Sequence, residues 1–161
     1  MQRLIEAHYK TLLLNTRLLV NCLEGVDDTV ACQRLNAHTN HIAFLVCHLV
    51  DARYFLSRLL GSDAECPFKE QLDKVRSVDD MREVPALADL RAAWATATAL
   101  LSERFAEISD AELLEPSGQK FPNEDRTRLG AVAFLLQHEA YHIGQVALLR
   151  KALGLGPMRY T

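Results

Sequence analysis

The stretch "LLQHEAYHIGQVALLRKALG", residues 135–154, places two histidines four positions apart in an otherwise apolar helical pattern. One helical turn brings positions i and i+4 onto the same face, with about 5–6 Å between their Cβ atoms. The rings of His138 and His142 can therefore share one ion. Such a pair also arises by chance, and hydrogen-bonded core histidines have the same spacing, so the pair alone leaves both interpretations open.

The composition of the chain is that of one globular domain with its own core. Of its 161 residues, 49% are hydrophobic and 24% are charged. A net charge of -3 with scattered Lys and Arg argues against nucleic-acid binding. No segment reaches the roughly 20 apolar residues of a membrane span, and charges at Arg3, Glu6 and Lys10 interrupt any N-terminal signal. We predict a single domain over residues 1–161, in the cytoplasm and without a membrane partner.

The cysteines show no pattern of a metal cluster or a disulfide framework. Cys22, Cys32, Cys47 and Cys66 lack CxxC spacing. Cysteines stay reduced in a reducing compartment, and buried ones behave as small hydrophobes. We therefore expect four free thiols that behave as buried small hydrophobes.

Apolar residues recur at helical spacing in four segments, and the alternation typical of strands is almost absent. The first segment covers residues 5–23, and the second runs from an N-cap at Thr39 or Asn40 to Gly61. The third covers residues 85–108, and the fourth covers residues 127–153. Four helices of this length predict an all-α protein, specifically a four-helix bundle.

The connection between the second and third helices is unusually long. It holds the segment "GSDAECPFKEQLDKVRSVDDMREV", residues 61–84, whereas neighbouring helices in bundles are usually joined by about 2–8 residues. A connection of this length can run the height of the bundle. It therefore favours a parallel arrangement of the second and third helices.

A third histidine strengthens the metal interpretation. His48 lies inside the second helix on the face shared with Phe44, and it points toward a core. Two ligands from one helix and one from a facing helix can build a metal site in a bundle. His41 lies about 10.5 Å away along the helix axis, at about 1.5 Å per residue, too far to bind the same ion. We expect His38 and His41 to cap the helix or face solvent, and His8 to be a surface or hydrogen-bonded core residue.

Three neutral imidazoles would leave one coordination position open, as in catalytic rather than structural zinc sites. An ion with an open position can lower the pKa of bound water to ~7 or hold a thiol as its thiolate. Asp51, Glu139 and Gln145 are the candidates for supporting the ligands. Asp51 could equally pair with a basic neighbour, and Glu139 could face solvent. Tyr141 and Arg53 are weaker candidates for substrate contacts, and the sequence assigns no catalytic residue beyond the ligands.

The segments "HLVDARYFLSRLLG" and "HEAYHIGQVALLRKALG" together resemble the DinB family of bacterial four-helix-bundle metalloproteins. Relatives of that family include low-molecular-weight-thiol S-transferases. The resemblance covers nearly the whole chain in the order and lengths of its helices. It implies an up-down-down-up bundle with a long crossover between helices two and three, and frequently a homodimer. It also implies a divalent metal held by His48, His138 and His142, the same residues that the helix geometry selects.

Three functions are compatible with these observations. The first is a metal-dependent transferase that joins a low-molecular-weight thiol to a small electrophile, a substrate class taken from the resemblance alone. The second is a metal-dependent hydrolase that uses bound hydroxide. The third is a non-enzymatic, stress-associated metal-binding protein. Imidazole ligands suit several divalent ions, of which we expect zinc or nickel.

A homodimer is also expected from the pattern of the fourth helix. Its apolar residues extend beyond the histidine stripe to Val132, Leu136, Ile143 and Val146. A helix that is apolar around much of its circumference needs cover on several sides. Another helix of the same chain or a second copy could supply that cover.

Overall fold

The computed structural model describes residues 3–160, so the ends of the predicted domain, residues 1–2 and 161, lie outside the described residues. Within residues 3–160 there are seven α-helices: α1 (Glu6–Cys22), α2 (Asp28–Ala31), α3 (Ile42–Leu59), α4 (Lys69–Leu72), α5 (Leu87–Glu107), α6 (Asp110–Leu114) and α7 (Arg128–Ala152). A 3₁₀ helix spans Val78–Asp80, and the same range contains no strand, only a β-bridge between Pro116 and Thr127. The prediction of an all-α protein is confirmed.

The four long helices α1, α3, α5 and α7 match the four predicted segments to within a few residues. The hydroxyl of Thr127 caps α7 by accepting a hydrogen bond from the Gly130 N–H at 3.0 Å. The helix α7 ends at Ala152, and Gly154 follows with φ 85°, a conformation that favours glycine. Local sequence signals therefore locate the ends of this helix correctly.

The start of α3 differs from the prediction. The N-cap is His41, whose Nδ1 accepts a hydrogen bond from the Phe44 N–H at 3.0 Å, and not Thr39 or Asn40. Burial and then the charge of Arg34 lower the pKa of His41, which keeps the ring neutral and Nδ1 free to accept. The capping role expected for His41 is confirmed, while the predicted start of the helix was too early.

Short helices interrupt the connections that the sequence left without structure. The α2 helix lies between α1 and α3, and its Asp28 accepts a hydrogen bond from the Leu87 N–H at 2.7 Å, at the start of α5. The α4 helix and the 3₁₀ helix lie between α3 and α5. Among the described helices, none combines the length and hydropathy needed to cross a membrane.

All four cysteines are free thiols, as expected. Cys22, Cys47 and Cys66 are buried in the larger apolar cluster, and burial raises the pKa of each thiol. Cys32 is exposed, so the expectation of burial was wrong for this residue. It follows the short α2 helix, which the sequence did not indicate.

The apolar residues of α7 that suggested a dimer are covered by this chain. The exposed fraction is 0% for Val132 and Val146, and 2% for Leu136 and Ile143. These side chains pack against apolar residues of α1, α3 and α5. The pattern of α7 is therefore explained within one chain, and these four residues supply no surface for a second copy.

Two apolar clusters, each with contributions from all four long helices, are separated by a polar layer. The first cluster includes Leu19, Val50, Trp94 and Val146, and the second includes Leu12, Leu56, Phe105 and Leu136. Each long helix contributes one polar side chain to this layer. These residues are Asn15 on α1, Arg53 on α3, Thr98 on α5 and Glu139 on α7.

The centre of the polar layer is a two-point ion pair. Arg53 donates through Nε to Glu139 Oε1 at 2.7 Å and through Nη2 to Oε2 at 3.0 Å. The side chains are 0% and 3% exposed, respectively. Asn15 Nδ2 donates to Glu139 Oε2 at 3.2 Å, Arg53 Nη1 donates to Thr98 Oγ1, and the Arg53 Cζ lies 3.3 Å from the centroid of the Trp94 ring. The pair thus links all four long helices.

Removing one member of this pair should destabilise the fold strongly. We expect Glu139→Ala to lower the free energy of unfolding by about 3–5 kcal/mol, because it leaves a buried guanidinium without its partner. Urea unfolding followed by circular dichroism measures this change.

The double variant Arg53→Met, Glu139→Leu should recover most of that loss, since an apolar pair of similar volume avoids the desolvation of two charges. The matched control is Glu65→Ala, which removes an exposed i,i+4 pair with Lys69 and should leave the unfolding midpoint unchanged. Equal effects of Glu139→Ala and Glu65→Ala would contradict a special role for the buried pair.

Candidate metal centre

The three predicted ligands come together between α3 and α7. The Nε2 atom of His138 lies 3.1 Å from Nε2 of His48 and 3.0 Å from Nε2 of His142. The three side chains form the one group of metal-ligating residues found within residues 3–160, with ligand atoms all within 4.8 Å of one another. The spacing of two histidines on α7 and one on the facing α3 therefore produces a single cluster, as predicted.

The other histidines do not belong to this cluster. His41 caps α3, and His38 is exposed in the segment before it. His8 lies on α1 and is partly buried, and its Nδ1 atom is buried with no hydrogen-bond partner. It is therefore neither a surface residue nor a hydrogen-bonded core residue, the two possibilities expected from the sequence. Three of the six histidines thus converge, and they are the three that the sequence selected.

The surroundings of His48 and His138 favour the neutral form of both rings. Burial, followed by the neighbouring rings of His138 and His142, lowers the pKa of His48 to about 4. Burial and the His142 ring also lower the pKa of His138. A neutral imidazole offers a lone pair to a metal ion, whereas a protonated one cannot. The low-dielectric surroundings therefore keep these rings in the form that binds metals.

Neighbouring side chains fix the orientation of two rings. Gln145 Oε1 lies 2.6 Å from Nδ1 of His142, and Gln145 Nε2 donates to the Tyr141 hydroxyl at 3.2 Å. With Nδ1 of His142 donating to this amide oxygen, Nε2 carries the lone pair and faces the cluster. The Phe134 ring stacks on His138 with 6.3 Å between centroids. The support expected from Gln145 is thus present in the structure.

The cluster also fits a divalent ion by the positions of its nitrogens. The Nε2 atoms of the three rings lie next to one another, so each ring could offer its lone pair to one ion between them. A tetrahedral ion with bonds of about 2.0–2.1 Å to nitrogen separates its ligand nitrogens by about 3.3 Å. The observed separations of 3.0 and 3.1 Å are close to this value. Nitrogen donors without a carboxylate or thiolate suit zinc, nickel, copper or iron.

A cavity of about 390 Å³ opens beside the cluster. Its volume falls in the range of small-molecule sites. His48 and His142 form part of its wall, so a molecule in the cavity can approach both rings. The other lining residues are Phe44 and Asp51 from α3, and Leu72, Val75 and Arg76 from the connection between α3 and α5.

Comparison with known proteins assigns the family. The sequence model of the DinB superfamily matches residues 11–146, which is most of the chain. The chain belongs to the DinB superfamily. A conserved protein from Enterococcus faecalis, known from its crystal structure, has a TM-score of 0.76 at 14% identity, covering 94% of this chain and 97% of that chain. At 14% sequence identity, the similarity shows that the two proteins share a fold and nothing more. No curated protein matches the sequence.

Several supporting roles predicted for this DinB chain are corrected by the structure. Glu139 does not face solvent, and within residues 3–160 neither Glu139 nor Asp51 hydrogen-bonds a ring of the cluster. Arg53 cannot contact a substrate, since it is 0% exposed and paired with Glu139. Tyr141, by contrast, is 61% exposed and hydrogen-bonds Gln145 beside His142.

Two features of the DinB site were missed from the sequence. The first is the pairing of Arg53 with Glu139, which lie next to the ligands in sequence, five residues after His48 and one residue after His138. An arginine and a glutamate inside two apolar helical segments were the available signal. The second is the wall formed by Leu72, Val75 and Arg76. No periodicity marks these residues, because Leu72 ends the four-residue helix α4 and Val75 and Arg76 follow that helix.

Proposed function

We propose that this DinB protein is a metal-dependent transferase that joins a low-molecular-weight thiol to a small electrophile. The observation that carries the proposal is the convergence of three imidazole nitrogens beside a cavity large enough for a small molecule. His48, His138 and His142 would hold one divalent ion, zinc or nickel. Such an ion, when bound, lowers the pKa of a coordinated thiol so that sulfur is nucleophilic at neutral pH.

The residues of the chain supply binding, orientation and exclusion of water. Three protein ligands leave a further coordination position for the substrate, which distinguishes a catalytic from a structural site. Gln145 orients His142, and Phe44, Leu72 and Val75 provide apolar contacts for the substrate. In the transfer, a sulfur–carbon bond forms to the electrophile, the leaving group departs with its electron pair, and the thiol proton passes to solvent. The free cysteines of the chain suit a reducing cytoplasm, which we propose as the compartment.

The first test concerns the metal itself. Purified wild-type protein should contain one divalent ion per chain by elemental analysis, and His48→Ala, His138→Ala and His142→Ala should contain strongly reduced metal, because each loses one of three ligands. The matched control is His41→Asn, which removes a buried histidine at the N-cap of α3 but keeps a side chain able to cap the helix. Normal occupancy in a folded His138→Ala, His142→Ala double variant would refute the site.

The second test concerns the activity. A free thiol of pKa ~8.5 is only a few per cent thiolate at pH 7, so the metal-loaded protein should consume thiol about tenfold or more faster than the apoprotein. Loss of free thiol is followed with cysteine, glutathione, bacillithiol and mycothiol in the presence of a chloro-nitroarene. His48→Ala is the control for free metal. If the metal-loaded protein consumes every thiol no faster than metal-containing buffer does, the result counts against the transferase. Hydrolysis of an ester or amide by the protein would then favour the hydrolase, and no hydrolysis would favour a metal-binding protein without activity.

We also propose one bundle domain in up-down-down-up order, with the long crossover between α3 and α5. Arg104, late in α5, donates to the Leu60 carbonyl just after α3 at 2.6 Å, which supports a parallel α3–α5 pair. Arg150, late in α7, donates to the Cys22 carbonyl at the end of α1 at 2.8 Å, which supports a parallel α1–α7 pair. Arg91, early in α5, donates to the carbonyl that follows α1, as antiparallel helices allow. Spin labels at the C-terminal ends of α3 and α5 test the order, since antiparallel helices would separate them by about 25–30 Å.

A homodimer is the proposed assembly. Four apolar side chains are exposed on the neighbouring helices α1 and α7, at heptad spacing on each: Leu13 and Val20, and Tyr141 and Leu148. Burying them against a second copy removes apolar surface from water. Sedimentation at micromolar concentration should give a dimer, which Leu148→Lys should dissociate. Leu114→Lys, at a residue similarly exposed on α6, is the control, and a monomeric wild type would overturn the dimer.

A further inference from the structure

Arg76 supplies a positive charge to the cavity beside the histidine cluster. It lies in the connection between α3 and α5 and lines the cavity together with His48 and His142. Its guanidinium makes one long hydrogen bond, from Nη1 to the Asp73 carbonyl at 3.4 Å. A guanidinium has five N–H donors, so most of its donor capacity is available to a bound molecule.

The neighbouring acid does not occupy the guanidinium. Asp80 interacts with the charge of Arg76, but its Oδ2 accepts from the backbone N–H groups of Arg76 and Ser77 at 2.9 and 2.8 Å. The same oxygen accepts from the Ser77 hydroxyl at 3.1 Å. The carboxylate of Asp80 thus closes a turn of the connection, and this turn presents the Arg76 side chain at the cavity.

The remaining wall determines which anion suits Arg76. Phe44, Leu72 and Val75 are apolar, and a partly apolar surrounding strengthens an ion pair relative to bulk water. Asp51 also lines the cavity, where it interacts with the Cys66 thiol and with Arg58. One guanidinium beside one carboxyl group suits a singly charged anion better than a doubly charged phosphate. A carboxylate also matches the planar fork of a guanidinium.

We propose that Arg76 binds a carboxylate group of the thiol substrate while the sulfur faces the side of the cavity formed by His48 and His142. This inference rests on the proposed thiol-transferase function and names the substrate class: a low-molecular-weight thiol that carries a carboxylate. Arg76 is then a specificity-determining residue. It adds binding energy for the acid-bearing thiol and none for a neutral one.

The test measures thiol binding, not turnover. The protein is loaded with Co²⁺, and binding of a thiol to the ion is followed by the sulfur-to-cobalt absorption. Three probes of similar size are titrated: 3-mercaptopropionate with a carboxylate, 2-mercaptoethanol without charge, and cysteamine with an ammonium group. Each is titrated into wild type, Arg76→Gln, Arg76→Lys and Arg82→Gln. Arg82 is the control because it is an exposed arginine of the same connection that does not line the cavity.

For each probe, the ratio of dissociation constants in variant and wild type cancels the acidity of the thiol itself. We expect Arg76→Gln to raise the dissociation constant of 3-mercaptopropionate about fivefold, which corresponds to the loss of a partly exposed ion pair. The dissociation constant of 2-mercaptoethanol should not change. Arg76→Lys should restore part of the loss, Arg82→Gln should have no effect, and cobalt content should be equal in all four proteins.

The outcomes separate this inference from the function on which it rests. If Arg76→Gln weakens the binding of all three thiols equally, or of none, Arg76 does not bind the carboxylate. The inference is then overturned, while thiol binding by the protein stands. If no thiol produces the absorption in cobalt-loaded wild type, the thiol function fails, and the inference fails with it. A loss confined to 3-mercaptopropionate supports both.

Discussion

The buried ion pair between Arg53 and Glu139 is the constraint on which the rest of this bundle depends. A guanidinium and a carboxylate removed from water are tolerated only when each satisfies the other, so α3 and α7 must adopt the one axial register that brings them together. Asn15 and Thr98 extend the same requirement to α1 and α5. Apolar contacts alone allow neighbouring helices to slide, whereas a polar layer between two apolar clusters does not.

The register set by this pair is also the register of the histidine cluster. Glu139 directly follows His138, and Arg53 lies about one and a half turns after His48, so the charge pair and the histidine cluster join the same two helices a short distance apart. Burial away from water makes an unpaired charge at Arg53 or Glu139 costly, and burial also keeps the rings of His48 and His138 neutral. Fold and site thus share one physical cause, the low dielectric of the interface between α3 and α7.

The sequence predicted what depends on periodicity and failed where the result depends on distant partners. Helical spacing located four long helices, and the i,i+4 pair on α7 with a third histidine on α3 selected the cluster. Nothing local to Glu139 indicates a partner 86 residues away, because pairing depends on how two helices pack. The start of α3 was predicted at Thr39 or Asn40, since a hydroxyl or amide oxygen is a commoner N-cap acceptor than the ring nitrogen of His41. The helices α2, α4 and α6 have four or five residues, too few for a periodic pattern.

The wall of the cavity has two origins, and this division affects how the protein can change over evolutionary time. One side comes from α3 and α7, which form the core of the bundle, and the other comes from the connection between α3 and α5, where Leu72 and Val75 are only partly buried and Arg76 is exposed. Mutations at Leu72, Val75 or Arg76 can alter which molecule fits without disturbing the imidazoles. Descendants of a duplicated gene could therefore bind different molecules while they inherit the same histidine cluster.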